Sequence, residues 1–327
     1  MPTVDAAPAE HAEQEIAAAK LLNVNVAVFD PGIPEDAQTL ADNNIFPAVR
    51  EAEGRYLAVN LRDTLADTGF WGAVRVGPTP IGESELLVTG AIVESNGSVL
   101  AVAITARDAS GRVWIDETYQ AEATELAYRP DRGDKDPFQA LYNRIADDLL
   151  AARRARTLEQ LRTVAQLSKL RFAADLAPAA FDRYVVKQAN RFKLVGRPAA
   201  GNPMVERIQA IRQRDYALID ALDRHYRLFY DEVDRAYDDW RAASFREARS
   251  LNELQRQGWT RMLAGAVAVL AGIIGGSQST TAVGSAASQA AIVGGVVLIG
   301  SGYSKHQQSK IHAAALEELG HSLATEM

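Results

Sequence analysis

Between Arg261 and Lys305 the chain runs for 43 residues without Asp, Glu, Lys or Arg. A stretch that long without charge has few stable homes, because an exposed apolar surface of that size does not stay monomeric in water. It divides into two apolar arms, Met262 to Gly276 and Ala282 to Tyr303, joined by the short polar connector Ser277-Gln278-Ser279-Thr280-Thr281. Two arms and a polar bend predict a helical hairpin. Small residues recur every four positions: Ala264, Ala268, Gly272 and Gly276 in the first arm, Ala286, Ala290 and Gly294 in the second, with Gly295 alongside. Residues four apart share a helix face, and a face of Ala and Gly lets two backbones approach closely. Glycine is a poor helix former in water, so nine of them in this stretch call for tight packing or a bilayer. Ala264, Ala268, Gly272, Gly276, Ala290, Gly294 and Gly295 are therefore the expected oligomerisation and helix-packing residues.

Length sharpens the alternatives without deciding among them. A spanning helix needs about 20 apolar residues, and about 10–14 point to a buried or re-entrant segment. The first arm is short, and Ser285, Ser288 and Gln289 dilute the second. Membrane insertion, an intersubunit core and a hairpin buried within one subunit all remain open, and the first two imply a homo-oligomer. The segment 305–327 reads as an amphipathic helix (Ile311, Ala315, Leu316, Leu319, Leu323) with no stop signal, which leaves open whether the natural chain extends past Met327.

Charge is partitioned along the remainder. Residues 1–150 carry a net charge of −14 and residues 151–261 a net of +8, within a total of −7. An acidic head and a basic middle suggest docking of head to middle in a neighbouring copy, or of middle to an anionic surface. The simpler expectation is that the arginines of a long helix pair with its own carboxylates at i,i+4.

Periodicity in residues 22–130 predicts an α+β head. Apolar alternation marks a strand from Leu22 to Phe29, stopped by Asp30-Pro31-Gly32. Helical spacing (Val49, Ala52, Tyr56, Val59, Leu65) marks a helix over 48–70, closed by Gly69. Strands follow at 73–76, 86–93, 99–105 and 112–116, with the Asn96-Gly97 and Ser110-Gly111 turns supplying positive φ. The expected order is β-α-β-β-β-β, one sheet with helices on one face. Residues 1–21 read as an Ala/Pro tether with a short helix over 11–20. From 138 the pattern is wholly helical: a row of Phe138, Leu141, Ile145 and Leu149 continues through Leu167. A break follows at 196–203, then a long helix from about 204 to 260 within a 138–261 helical domain. Its aromatics Tyr216, Tyr226, Phe229, Tyr230, Tyr237 and Trp240 are expected to pack, not to hold a cofactor.

Catalytic chemistry has little to stand on. There is no phosphate-binding P-loop, no G-x-S-x-G elbow and no H-E-x-x-H pair, and the five histidines (His11, His225, His306, His312, His321) include no i,i+4 pair. The chain has no cysteine, hence no disulfide and no thiol nucleophile. Neither an enzyme, a cofactor nor a metal is expected. Asp147-Asp148 and Asp238-Asp239 read as solvated carboxylates; Arg153, Arg154 and Arg156 suit phosphate, but nothing beside them suggests base readout, so nucleic acid is not the expected partner.

Three pieces of the head carry a family resemblance: Val24-Asn25-Val26-Ala27-Val28-Phe29; Leu61 to Phe70 running on to Val74-Arg75-Val76; and Leu86-Leu87-Val88-Thr89-Gly90-Ala91-Ile92 followed by Ala106 to Trp114. Over about residues 22–120 the head resembles the fold shared by the curli-secretion lipoproteins, the peptidoglycan-synthase activator lipoproteins and the N-terminal domain of the Tol translocation protein. The resemblance implies a periplasmic, outer-membrane lipoprotein with a role in envelope assembly or secretion, with any lipidated cysteine lying ahead of Pro2, and it makes Trp114 a packing residue. The helices from 138 onward are outside that family pattern. The expectation is a non-enzymatic cell-envelope scaffold that self-associates through helices and hairpin and presents its head to envelope proteins. The alternatives are a pore-forming or membrane-inserting protein, and an activator module for an envelope enzyme.

Overall fold

The computed structural model describes residues 8–42, 45–77, 84–129 and 135–278. Its centre is a five-stranded mixed sheet made of β1 (Val24–Ala27), β2 (Val74–Gly77), β3 (Leu86–Ser95), β4 (Val99–Asp108) and β5 (Val113–Glu122), in the order β2-β1-β3-β4-β5. β1 pairs parallel with both β2 and β3, whereas β3, β4 and β5 form an antiparallel meander. The parallel pairs need crossovers. One carries α1 (Ala37–Asp42) and α2 (Pro47–Asp67) between β1 and β2.

Local chemistry explains these elements. Proline opens α2 at its first turn, where its missing N–H is no loss. Thr68 caps the other end, followed by Gly69 at φ +71°. The β3–β4 hairpin turns on Gly97, φ +76°, with Asn96 Oδ1 accepting from the N–H of Ser98 (3.0 Å) and Val99 (2.9 Å). In the β4–β5 turn Asp108 Oδ1 accepts from Ser110 N at 2.8 Å, and its Oδ2 accepts from Trp114 Nε1 at 2.7 Å. Trp114 lies half-buried against Trp71, beneath the Arg156 guanidinium at 3.9 Å.

Helices follow: α3 (Gln139–Arg154), α4 (Leu158–Leu176), α5 (Pro178–Phe181) and α6 (Pro203–Gln278). A capping box at Thr157 and Gln160 starts α4, so the apolar row from 138 to 167 belongs to two helices, not one. The core crosses the 130/138 line drawn from sequence. Leu141, Tyr142, Ile145 and Leu149 of α3, with Tyr237, Trp240 and Phe245 of α6, join the same cluster as Val24, Val26, Val88 and Ile104 of the sheet.

Three sequence expectations are corrected. Residues 11–20 are not a helix: only a single 3-10 turn forms, at Ala18–Lys20. The segment before it is held by tertiary bonds, Ala12 N donating to Thr68 O (2.8 Å) and Glu10 N to Asp147 Oδ1 (3.0 Å). Residues beyond 138 are not wholly helical, because β6 (Val185–Gln188) and β7 (Arg191–Leu194) form an antiparallel hairpin. That hairpin turns through Ala189 at φ +52° and docks on the β4–β5 turn, with Phe192 N donating to Ser110 O at 2.9 Å and Arg171 stacked on Phe192 at 3.7 Å. Third, among the described residues most ion pairs of α6 are made not with its own carboxylates but with the head, as detailed below.

Candidate interaction site along the long helix

Helix α6 has 76 residues, so it is about 110 Å long at about 1.5 Å per residue. Its inner face meets the head along a line of ion pairs of both polarities. Arg75 of β2 binds Asp220 (2.5 Å), Arg62 of α2 reaches Asp223 (3.5 Å), Arg227 binds Asp63 (3.0 Å), Arg241 binds Asp136 (2.9 Å) and Arg249 binds Glu125 (3.2 Å). The acidic head and basic middle thus meet within one chain. Asp223 also accepts from the β2 backbone, Val76 N at 2.8 Å, so the helix caps an edge of the sheet.

The centre of this contact is a buried polar clamp. Arg241 is 1% exposed; it binds Asp136, which anchors the start of α3 by accepting from Phe138 N at 2.8 Å. Arg241 also binds Asp238 one turn back, donates to Tyr56 OH at 3.3 Å, and lies 4.4 Å from the Tyr237 ring centroid. Asp238 is therefore a paired group, not the solvated carboxylate expected from sequence. Beside it, Glu53 accepts from Tyr237 OH (2.6 Å) and Ser95 Oγ (2.7 Å), tying α2, β3 and α6 together. Burial raises the Glu53 carboxyl above its usual range, against the pull of Arg50. Burial likewise raises the Tyr56, Tyr142, Tyr230 and Tyr237 hydroxyls, and the first, third and fourth of them donate to Asp234, Asn60 and Glu53. Tyr56 donates to Asp234 at 2.6 Å and stacks on Tyr230 at 4.4 Å. Tyr226, Phe229, Tyr230, Tyr237 and Trp240 all pack with the head core, in line with the packing role read for them, and Tyr216 lies beneath Arg75 at 4.9 Å.

The hairpin turn of β3–β4 is part of the same contact. A Cβ on Gly97 would stand 2.7 Å from Arg241 O and 2.9 Å from Phe245 N, so only glycine lets the turn reach the helix backbone.

The outer face of α6 is different. Met204 (41% exposed), Ile211 (40%), Leu218 (64%) and Leu228 (60%) face solvent, the first three at heptad spacing. Small residues Ala210 and Ala217 are exposed beside them.

The arginine cluster is consumed internally. Arg154 binds Glu10 and lies over Phe70, Arg153 donates to Lys20 O at 3.1 Å, and Arg156 covers Trp114. His11 Nδ1 contacts Asp67 O at 2.9 Å, and His225 is exposed. Asp148 is exposed, as expected, but accepts from Tyr119 OH at 2.9 Å. Among the described residues no group of His and carboxylates is placed to hold a metal ion, and no helix is long and apolar enough to cross a membrane.

Of the expected packing residues, Ala264, Ala268, Gly272 and Gly276 fall in the last part of α6, where the backbone is helical. Their side chains, and Ala290, Gly294 and Gly295 altogether, lie outside the described residues, as does the second arm of the hairpin and the 305–327 segment. What sequence reasoning missed is the clamp. Its signal was there: Tyr226, Tyr230, Asp234, Tyr237 and Arg241 repeat at three- and four-residue spacing, a helix face that mixes rings with charge. Comparison with protein-family models, curated proteins and solved structures finds no match for this chain.

Proposed function

We propose that this protein is a non-enzymatic scaffold of the cell envelope, periplasmic and associated with the outer membrane, which self-associates along α6 and the 262–304 segment and presents its α+β head to envelope proteins. The observation that carries the reading is the two-sidedness of α6. One face is bound to the head through a line of ion pairs, of which Arg241–Asp136 is buried, while the opposite face leaves Met204, Ile211, Leu218 and Leu228 in water. A helix held rigidly on its own domain yet apolar on the far side suits a partner surface. The same helix leads without a break from the head into the charge-free stretch that begins at Met262. Envelope placement rests on the resemblance of residues 22–120 alone.

The test is the solution mass by light scattering without detergent, for the intact chain and for a chain ending at Arg261. A discrete oligomer that becomes smaller on truncation supports the scaffold. A monomeric intact chain sinks it. An intact chain that needs detergent, beside a soluble truncation, favours the second reading, in which the 262–304 hairpin inserts into a bilayer; its charge-free composition is what recommends it. Dye release from liposomes then separates insertion with leakage from simple anchoring.

A further inference from the structure

A second feature of α6 lies on the side facing α4. A cleft of about 730 Å³ opens between the 18–23 segment of the head, α4 and the first turns of α6. It runs on into a hollow of about 380 Å³ beside the 197–202 loop, and Gln166, Lys169 and Gln209 line both. Helix α4 contributes Arg162, Gln166 and Lys169, and α6 contributes Gln209, Arg212, Gln213 and Tyr216. Spacings of three, four and seven put each set on one helix face, so two polar faces confront each other. Helices that pack for stability alone fill such a gap with apolar side chains. The apolar part of the lining is made by Leu21, Leu22, Leu161 and Ile208 together with alanines and Gly72, and the polar side chains of both helices share the cleft with it.

The charge is one-sided. Lys20, Arg162, Lys169, Arg197 and Arg212 line the cleft against Glu85 and Glu206. Glu85, 6% exposed, is turned to the backbone and accepts from Asn23 N at 2.8 Å. Arg212, 8% exposed, is held in place by Tyr216 OH (3.1 Å from Nε) and Ser168 Oγ (2.5 Å from Nη2), with its guanidinium over the Tyr216 ring at 5.3 Å. Arg162 and Lys169 are exposed and have no hydrogen-bond or ion-pair partner among the described residues. Gln166 Oε1 is a buried acceptor with no donor among the described residues.

We propose that this cleft binds an extended acidic peptide segment of a partner protein, whose carboxylates pair with Arg162, Lys169 and Arg212 while its main chain pairs with the amides of Gln166, Gln209 and Gln213. Three features favour a peptide over a single anion. The site is elongated, because Arg162 and Lys169 stand about 10 Å apart along α4. Glutamine amides offer donors and acceptors together, as a peptide backbone requires, whereas the dianion of a phosphate monoester brings only acceptors and leaves Gln166 Oε1 unpaired. A bilayer surface, for its part, does not reach between two helices. Cationic steering speeds capture and makes it salt-sensitive. The inference stands apart from self-association: a chain that stays monomeric can bind the peptide, and one that assembles can fail to.

Fluorescence anisotropy on the full chain tests it, with a fluorescein-labelled peptide of alternating Glu and Ala, its Lys/Ala counterpart, and vesicles containing phosphatidylglycerol. The Glu/Ala peptide is expected to bind at low salt and weaken as salt rises; the Lys/Ala peptide is not expected to bind. The exposed double variant R162E/K169E, checked for an unchanged circular dichroism spectrum, weakens the Glu/Ala peptide at least about tenfold and gains affinity for the Lys/Ala peptide. No binding of the Glu/Ala peptide, or binding that R162E/K169E leaves unchanged, overturns the proposal. Binding of the vesicles alone, lost in R162E/K169E, overturns it in favour of a lipid headgroup.

Discussion

Replacing Arg241 with Met tests whether α6 is fastened to the head as the geometry indicates. The side chain is 1% exposed and its partner Asp136 2%, with 2.9 Å between Nη1 and Oδ2. Met keeps most of the volume against Tyr56 and Tyr237 but removes the guanidinium. Among the described residues Asp136 then keeps only the Phe138 N–H as a partner of its side chain, inside a buried core. Removing one member of a buried pair costs about 3–5 kcal/mol, mostly the penalty of the orphaned charge. Loss of the cation over the two rings adds on the order of 1 kcal/mol. R241M should therefore lose about 4 kcal/mol against a domain stability of about 5–15 kcal/mol. The double variant R241M/D136N, which removes both charges and keeps an acceptor for Phe138 N, should recover at least about 2 kcal/mol of that loss. Urea unfolding followed by the fluorescence of the four tryptophans, among them Trp240 beside the clamp, reads both values. A loss below about 1 kcal/mol for R241M, or strict additivity in the double variant, refutes a buried clamp.

Other outcomes follow from the same contacts. G97A places a methyl against Arg241 O and Phe245 N at a positive-φ position, so it should lose on the order of 2–3 kcal/mol in urea unfolding; a loss within about 0.5 kcal/mol means the turn does not touch α6. Glu53 has a raised carboxyl pKa in the folded state, so the native chain holds that proton more tightly than the unfolded chain. Its contribution to stability is complete below the unfolded value, near 4.5, and declines as pH rises through the folded value. E53Q cannot lose that proton, so its stability relative to wild type should improve from acidic toward neutral pH; a pH-independent difference contradicts the assignment. Leu218, 64% exposed, should accept glutamate with no change in the unfolding midpoint, while L218E lowers the assembled fraction seen by sedimentation. Gly272→Leu should prevent assembly with the head still folded, and a variant that sediments like wild type removes the small-residue stripe from the scaffold reading.

Much of the head was legible because its signals are local. The Asn96-Gly97 and Ser110-Gly111 turns, period-two alternation in β3 and β4, and Gly69 closing α2 depend on backbone preferences of residues near in sequence, and each lies where it was read. The break before Pro203 was legible for the same reason. Residues 8–20 and 185–194 were not. Ala-rich composition favours helix weakly, and two tertiary hydrogen bonds to Thr68 and Asp147 are enough to override it. The β6–β7 hairpin has only short strands, and what holds it is a turn some eighty residues earlier in the chain, at Ser110.

By itself, then, the sequence determined the type and order of the head's elements, the start of the long helix and the charge-free stretch from Met262, since these follow from residue type and spacing. Only the tertiary structure decided where charge meets charge. A count of −14 and +8 predicts attraction but no partner, and pairing within the helix was as compatible with it as pairing across the fold. Folding α6 onto α2 and β2 brought Asp136 to Arg241 and Asp63 to Arg227, residues more than a hundred positions apart. Those contacts depend on distances that no local pattern encodes, and the core that buries them is shared between the sheet and helices that the sequence had placed in separate domains.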